Sequence, residues 1–295
     1  MAISLSIIIP IYNAARTVQR TLASLERIEP SRCSQVQIVI VDDGSTDNGL
    51  ELVEQFRQSH DVFDWRISQQ ANAGANVARN TALEQAEGQW IFFLDADDEL
   101  LIDPTEFLDL DDDVTCHSFG IEFSRGEKRW VRPPIPITSD TIFDVFSASN
   151  PYQPSNLLFR RACAHVPFAL DIRMLEDWLF WMENPEIFAC VSHRPDVVSA
   201  RIHIHDTNTS SDYIGMGQHR ARVARRVLDN NGLALSKGQR NNFGIQEQIG
   251  NLQAGQRFRW ASLFWCPCNL RLYGKLWVYL MARLLGRRAT AIRNG

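Results

Sequence analysis

Three carboxylates crowd the end of an apolar run in the stretch IFFLDADDE, residues 91–99. Asp95, Asp97 and Asp98 follow Ile91 to Leu94 with only Ala96 interposed. At that spacing their repulsion raises the energy of the fold unless water screens it or a positive group joins them. A second acidic pair, Asp42 and Asp43, ends the apolar run QIVIV at residues 37–41. Oxygen ligands of this kind suit a hard divalent cation, which can bridge and neutralise the phosphates of a ligand. Acidic loops also cap strands and helices without any ligand. One cluster alone would fit that plainer account, but two at strand ends of one sheet favour the cation. A third acidic pair, Glu176-Asp177, opens an apolar segment containing Trp178, Leu179, Phe180 and Trp181. Such a pair either favours the helix dipole from the first turn or supplies a general base.

These residues need elements to position them. Residues 5–9 and 37–41 are almost wholly apolar and β-branched, the pattern of parallel strands buried on both faces. Residues 65–68 and 90–94 predict a third and a fourth strand. Helical spacing occurs at 14–28 (Val18, Leu22, Leu25), after Asp47 as N-cap (Leu50, Val53, Phe56), and at 75–86, closed by Gly88. Strands alternating with helices predict an α/β fold with a doubly wound, mostly parallel sheet. In such sheets ligands bind beyond the carboxyl ends of the strands, which places Tyr12-Asn13, Asp42-Asp43 and residues 95–98 along one edge. The loop PIYNAAR after the first strand has no glycine. A dinucleotide fingerprint and a P-loop are therefore absent, and a nucleotidyltransferase that must cradle a triphosphate is disfavoured.

Beyond residue 100 the rhythm changes. Strands are expected at 114–123 and 129–131 around Ser124-Arg125-Gly126-Glu127, and again at 157–159 and 197–204. A helix is expected over about 176–182, and the chain reads helical from Tyr213. Soft boundaries at 110 and 212 divide it into 1–110, 111–212 and 213–295.

With 45% hydrophobic and 22% charged residues in 295, the chain has the composition of a globular protein with a sizeable core. The net charge of −5 hides a polarity. Residues 248–295 hold eight basic side chains and no carboxylate, so all 35 acidic residues lie before them. The segment MAISLSIIIP reads as a strand, with no basic n-region of a signal peptide. Cys33, Cys116, Cys163 and Cys190 stand singly, as in a reducing compartment. Cys266 and Cys268 form a CPC pair without the second pair a zinc site would want. No run reaches the ~20 apolar residues of a membrane span.

SIIIPIYN, IVIVDDGSTD, NAGANVARN (72–80) and GQWIFFLDADD, in that order, resemble the nucleotide-binding half of the inverting family-2 glycosyltransferases with the GT-A fold. The likeness is close over residues 4–100 and confined to short motifs over 101–212. It implies a GT-A sheet whose acceptor-side half is mixed, followed by a C-terminal helical appendage. It also implies a donor nucleotide-diphosphate sugar, with a UDP-sugar expected, and Mn²⁺ or Mg²⁺ as cofactor. Asp95-Ala96-Asp97 matches the DXD motif, whose acids contact the ribose and ligate the metal. Asp43 matches the residue that recognises the base, Pro10 and Tyr12 match positions lining the base pocket, and Arg79 lies in the ARN motif that holds the nucleotide or orders the site. Asp98 is a further candidate for the metal. Glu176-Asp177 resembles the ED motif, in which Asp177 matches the general base and Glu176 supports it.

His203 and His205 alternate onto one strand face, where they either form a site or line a polar surface. The family often carries a histidine near the diphosphate in a segment like residues 205–210, which makes His205 a candidate. In residues 256–288 arginines interleave with Trp260, Trp265, Trp277 and Tyr279 inside Leu-rich helical runs. That pattern suits an interfacial helix on anionic lipid, or a helical pair packed on the domain, better than nucleic acid. QRFRW at 256–260 fits the QxxRW signature of processive synthases, but without membrane spans a non-processive transferase is expected. The resemblance thus implies an inverting transfer to a glycan or lipid-linked hydroxyl in cell-surface polysaccharide synthesis, by a cytoplasmic enzyme at a membrane face. A catalytically inactive sugar-nucleotide sensor or scaffold of the same fold is the rival.

Overall fold

The structure is a computed structural model that describes residues 2–109, 113–205, 212–230, 232–256 and 270–284. Two compact units are drawn from interleaved stretches of the chain, and each is described by itself. The first comprises Met1–Ser139, Tyr152–Leu170 and Glu183–His205; the second comprises Asp140–Pro151, Asp171–Met182 and Asp206–Gly295. These units do not coincide with the boundaries at 110 and 212 expected from the change of rhythm along the sequence.

The first unit is built on a nine-stranded sheet. β1 (Leu5–Ile11), β2 (Val36–Asp42), β3 (Asp64–Gln69) and β4 (Trp90–Phe93) lie in the order β3-β2-β1-β4, all parallel. Their near-continuous apolar sequence follows from burial on both faces. Ile7, Ile9, Ile38, Ile40 and Phe92 pack with Leu22 of α1 (Val18–Ser24) and Val53 of α2 (Gly49–Ser59). α3 (Ala75–Gln85) packs on β1 and β2 and buries Ala78 and Ala82. The expected doubly wound arrangement is present in this half.

The other half of the sheet is mixed. β5 (Glu99–Leu100), β6 (Cys116–Arg125), β7 (Lys128–Arg132), β8 (Leu157–Arg160) and β9 (Val191–His203) complete it. β8 joins β4 and β6 antiparallel, β9 runs parallel to β6, and β5 pairs antiparallel with the end of β9.

Several boundaries differ from the sequence expectation for identifiable reasons. α1 starts at Val18 instead of residue 14, because Asn13 turns left-handed (φ 48°) and the chain first makes a turn in which Thr17 and Val18 both donate to the Ala14 carbonyl. α2 starts at Gly49 with Asn48, not Asp47, in the N-cap position. The Asp47 carboxylate nevertheless accepts from Gly49 N at 3.0 Å and from Ala15 N at 2.9 Å, tying two turns together. β9 begins at Val191, six residues early, although Pro195 interrupts it. Its register against β6 shifts between Phe119 and Gly120, and the bulge absorbs the missing N–H. β5 was not expected at all; two residues carry no periodicity to read.

The second unit is helical: α4 (Ile142–Ala148), most of α5 (Glu176–Glu183), α6 (Tyr213–Asp229), α7 (Lys237–Gln253) and α8 (Leu270–Leu284). α4 is also absent from the sequence expectation. α7 starts with a capping box between Ser236 and Gln239. α6 and α7 approach closely through glycines, since a Cβ on Gly250 would stand 2.5 Å from the Gly217 carbonyl oxygen. α8 closes a small core of Ile245, Ile249, Leu252, Leu272, Tyr273 and Leu276. No described helix is long and apolar enough to cross a membrane. The CPC pair and most of the QRFRW match lie outside the described residues, as do the arginines beyond 284.

Candidate active site

The acidic turn of the first unit begins where β4 stops. Leu94 N still donates to the Ile8 carbonyl at 3.0 Å, and Asp98 N then closes a tight turn onto the Asp95 carbonyl, also at 3.0 Å. The turn separates the three acids: Asp95 and Asp97 stay partly open to solvent, whereas Asp98 is only 4% exposed.

Each acid meets a different partner. Arg79, one turn into α3 and nearly buried, donates from Nη2 to Asp95 Oδ1 at 2.8 Å, with its guanidinium 5.6 Å from the Phe168 ring centroid. His205 Nε2 stands 3.0 Å from Asp97 Oδ2. Asp98 Oδ1 accepts from the backbone N–H of His203 at 3.1 Å. Arg20 Nη2 of α1 donates to the Asp97 carbonyl at 2.7 Å. The short β5 makes these contacts possible: by pairing Glu99 with Arg201 and Leu100 with Ala200, it lays the end of β9 against the turn. Both histidines therefore address the acidic turn and do not line a plain sheet surface. His203 Nε2 reaches Glu99 Oε1 at 2.7 Å, beside the ion pair of Arg201 with Glu99 at 2.9 Å.

The charge balance of the turn is negative. Burial and the neighbouring Asp95 push the Asp97 carboxyl above its usual range, with His205 opposing. Asp98 is driven well above it by burial and by Asp97 and Asp95. Burial also acts to raise Glu99, but His203, Arg201 and Arg20 overcome it and leave the carboxyl below its usual range. The repulsion inferred from IFFLDADDE is thus present. Arg79 and His205 offset only part of it.

The donor set fits a divalent cation completed by its ligand. No three His, Cys, Asp or Glu side chains converge as a ready cage among the described residues. A small cation that is held through substrate phosphates and water needs only one or two carboxylates from the protein. Asp95 and Asp97 are the partly open ones, and Asp97 with His205 offers an oxygen and a nitrogen side by side.

Asp43 does a different job. Buried at 3% exposure, it accepts from Gln70 Nε2 (2.8 Å) and Ala73 N (2.9 Å) on Oδ1, and from Gly74 N (2.7 Å) on Oδ2. It pins the loop that leads into α3. Gly44, at φ 74°, permits that loop to come close, since a Cβ there would meet Asn72 N at 2.8 Å. Asp42 is likewise engaged, with Ser45 and Gln69. Pro10 sits within β1 opposite Val41. Tyr12, just past the strand, is 54% exposed.

The candidate base and its neighbour belong to the second unit. Leu175 adopts a left-handed backbone (φ 60°), rare for such a residue and a sign of local strain. Glu176 and Asp177 follow in the first turn of α5. Asp177 Oδ2 accepts from Asn150 Nδ2 at 2.9 Å, and its Oδ1 from Trp178 N at 2.8 Å. Sequence reasoning missed Asn150, Arg20 and the Glu99–Arg201 pair. Glu99, directly after the acidic run, and the alternation Arg201-x-His203-x-His205 were the signals available.

A parallel β3-β2-β1-β4 half sheet that ends in an acidic turn, joined to a mixed half that returns a histidine to it, describes the GT-A fold. Residues 6–164, more than half of the chain, match the family described as Glycosyl transferase family 2, and the chain belongs to that family. It is 41% identical over 96 residues to the glycosyltransferase YibD of Escherichia coli, a stretch covering 32% of this chain and 26% of YibD. It is 36% identical over 110 residues to the poly(ribitol-phosphate) beta-N-acetylglucosaminyltransferase TarS of Staphylococcus aureus, covering 35% of this chain and 18% of TarS. The matched stretches thus span about a quarter or less of those relatives. Among solved structures, TarS 1–349 in complex with UDP-GlcNAc superposes with TM-score 0.61 at 19% identity over 85% of this chain and 72% of that one. The mannosyltransferase PcManGT of Pyrobaculum calidifontis, with GDP-Man and Mn²⁺, gives 0.60 at 16% over 95% and 86%. At these identities the superpositions show the shared fold.

Proposed function

We propose that the chain is a metal-dependent, inverting glycosyltransferase that moves a sugar from a nucleotide-diphosphate donor, a UDP-sugar, to a hydroxyl of a glycan or lipid-linked acceptor in cell-surface polysaccharide synthesis. The observation that carries this reading is the convergence of Asp95, Asp97, Arg79 and His205 at the end of β4. In this reading residues 1–110 serve the donor, 111–212 the acceptor and the base, and 213–295 form a basic helical appendage.

Each residue then has a task. Asp43 holds the loop 70–74 and meets the base, with Pro10 and Tyr12 along the same pocket. Arg79 orients Asp95 against the ribose. Mn²⁺ or Mg²⁺, for which Asp95 and Asp97 are the holding side chains and Asp98 and His205 the reserve, supplies positive charge for the departing diphosphate when bound. Asp177 takes the proton from the acceptor hydroxyl as it attacks, with Asn150 fixing its carboxylate and Glu176 beside it. The inverting outcome follows from a single displacement with one such base.

The basic appendage suits the cytoplasmic face of an anionic membrane. On α8, Trp277, Val278 and Met281 are about half exposed, in a segment whose formal charge is entirely positive. Apolar side chains with surrounding cations favour an interfacial position.

The test of the donor site is the melting temperature with UDP, GDP, CDP or dTDP, each with Mn²⁺ and with EDTA. A ligand present at 100 times its dissociation constant adds about 2.7 kcal/mol of stability. A rise with one nucleotide that EDTA abolishes is the expected result and identifies the base of the donor. No rise with any of the four overturns the reading and leaves a scaffold.

A further inference from the structure

A cavity of about 360 Å³ opens in the second unit, between α5, α6, α7 and α8. Its volume is at the low end of the ~300–1,000 Å³ range of small-molecule sites. Its wall contains Arg220, Lys275, Asn150, Trp178, Gln246 and Tyr279, and no carboxylate.

Arg220 is the unusual member. It makes no ion pair among the described residues. Nη1 donates to the neutral Gln246 Oε1 at 2.8 Å, the guanidinium stands 5.9 Å from the Trp178 ring centroid, and Nε is buried with no acceptor. Burial lowers its affinity for its proton, with only the Tyr279 and Tyr213 hydroxyls opposing. A cation that is partly withdrawn from water, with no counter-charge among the described residues, loses solvation on folding that nothing repays. Two other arginines of this unit have carboxylate partners: Arg225 pairs with Glu247, and Arg226 with Asp171 at 3.0 Å. The charge at Arg220 is therefore kept at the expense of stability, as expected where an anion completes the site.

The cavity also adjoins the candidate base. Asn150 is part of its wall and donates to Asp177 Oδ2, and Leu175, the strained residue before Glu176, lines it too. We propose that this cavity is the acceptor subsite and that it takes an acceptor bearing an oxyanion, a phosphate ester or a uronate carboxylate. Arg220 and Lys275 are the counter-charges, and Tyr279 offers ring surface to the attached sugar or polyol. This rests on the glycosyltransferase reading, because only then does Asp177 require an acceptor beside it.

The experiment is calorimetric titration of the full chain, in the presence of UDP and Mg²⁺ to fill the donor site, with glycerol 3-phosphate, glucuronate and uncharged glycerol. Saturable binding of one or both anions and none of glycerol is expected, and the stronger anion tells phosphate from carboxylate. Arg220→Gln should weaken that binding at least tenfold, and Lys275→Gln, on an exposed helix position, several-fold. Neither variant should melt below the parent, a result that a merely structural arginine would not give. No binding of either anion, or binding that Arg220→Gln leaves unchanged, overturns the inference. UDP binding is read separately: its presence without anion binding sinks only the acceptor subsite, and its absence sinks the glycosyltransferase reading.

Discussion

Arg79 and Asp95 meet at 2.8 Å across the step from α3 to the end of β4, with the arginine almost buried and the aspartate one-third exposed. The pair ties the ARN segment to the acidic turn and leaves one Asp95 oxygen for a ligand. Replacing Arg79 by Met should free that carboxylate to repel Asp97. We expect nucleotide affinity to fall at least tenfold and stability by about 1–3 kcal/mol, as when a hydrogen-bonded charge loses its partner. Equilibrium denaturation and a nucleotide titration measure both.

Asp43 accepts three hydrogen bonds from the loop 70–74, two of them from backbone N–H groups. Asp43→Asn puts an amide donor against one of those donors. A loss of about 1–3 kcal/mol is expected, with faster proteolytic cleavage within 70–74 than in the parent. Unchanged cleavage would show that the loop is held by other contacts.

Asp177→Asn keeps the shape of the side chain and removes its basicity. Sugar transfer should fall by about 10²–10⁴, the range of general base catalysis, while the metal-dependent rise in melting temperature with nucleotide persists. Asn150→Ala, which frees the carboxylate without removing it, should cost less. Transfer at the parental rate by Asp177→Asn would place the base elsewhere.

His219 in α6 supplies a pH test away from the acidic turn. Its Nδ1 lies 3.3 Å from the Arg173 N–H. Burial first, and then Arg222 and Arg173, hold its ring below the usual histidine range. A folded-state value below the unfolded one means that the unfolded chain takes up the proton first. Its contribution to stability is present above the unfolded value near 6.5 and is lost as pH falls through that value toward the lowered one. Denaturation at pH 7.5 and 5.5 should therefore show a smaller loss on acidification for His219→Asn than for the parent. Equal losses would remove His219 from the account.

Much of the acidic candidate site was legible because it is local. A parallel strand buried on both faces writes itself as an apolar run, and the residue after that run must stand at the carboxyl edge of the sheet. Asp43, Asp95 and Asp97 could be placed by that rule alone, whereas the close approach of the loop that requires Gly44 appeared only in the structure. Apart from the family resemblance, His205 was legible only as one of two alternating histidines, since nothing nearby in sequence says what faces it.

What the amino-acid sequence determined by itself was the order of strands and helices over the first hundred residues, the negative charge of the turn after β4, and the polarity between an acidic body and a basic C-terminal segment. These follow from side-chain periodicity and composition, which short windows contain. The tertiary structure alone decided that two residues of β5 would pair with β9 and deliver His203 and His205 to the acids. It also decided that residues 140–151 and 171–182 would pack with α6, α7 and α8, where Asn150 meets Asp177 and Arg220 is partly buried without a counter-charge among the described residues. Those contacts join residues 26 to 108 positions apart, and their energy comes from burial and pairing that no local window holds.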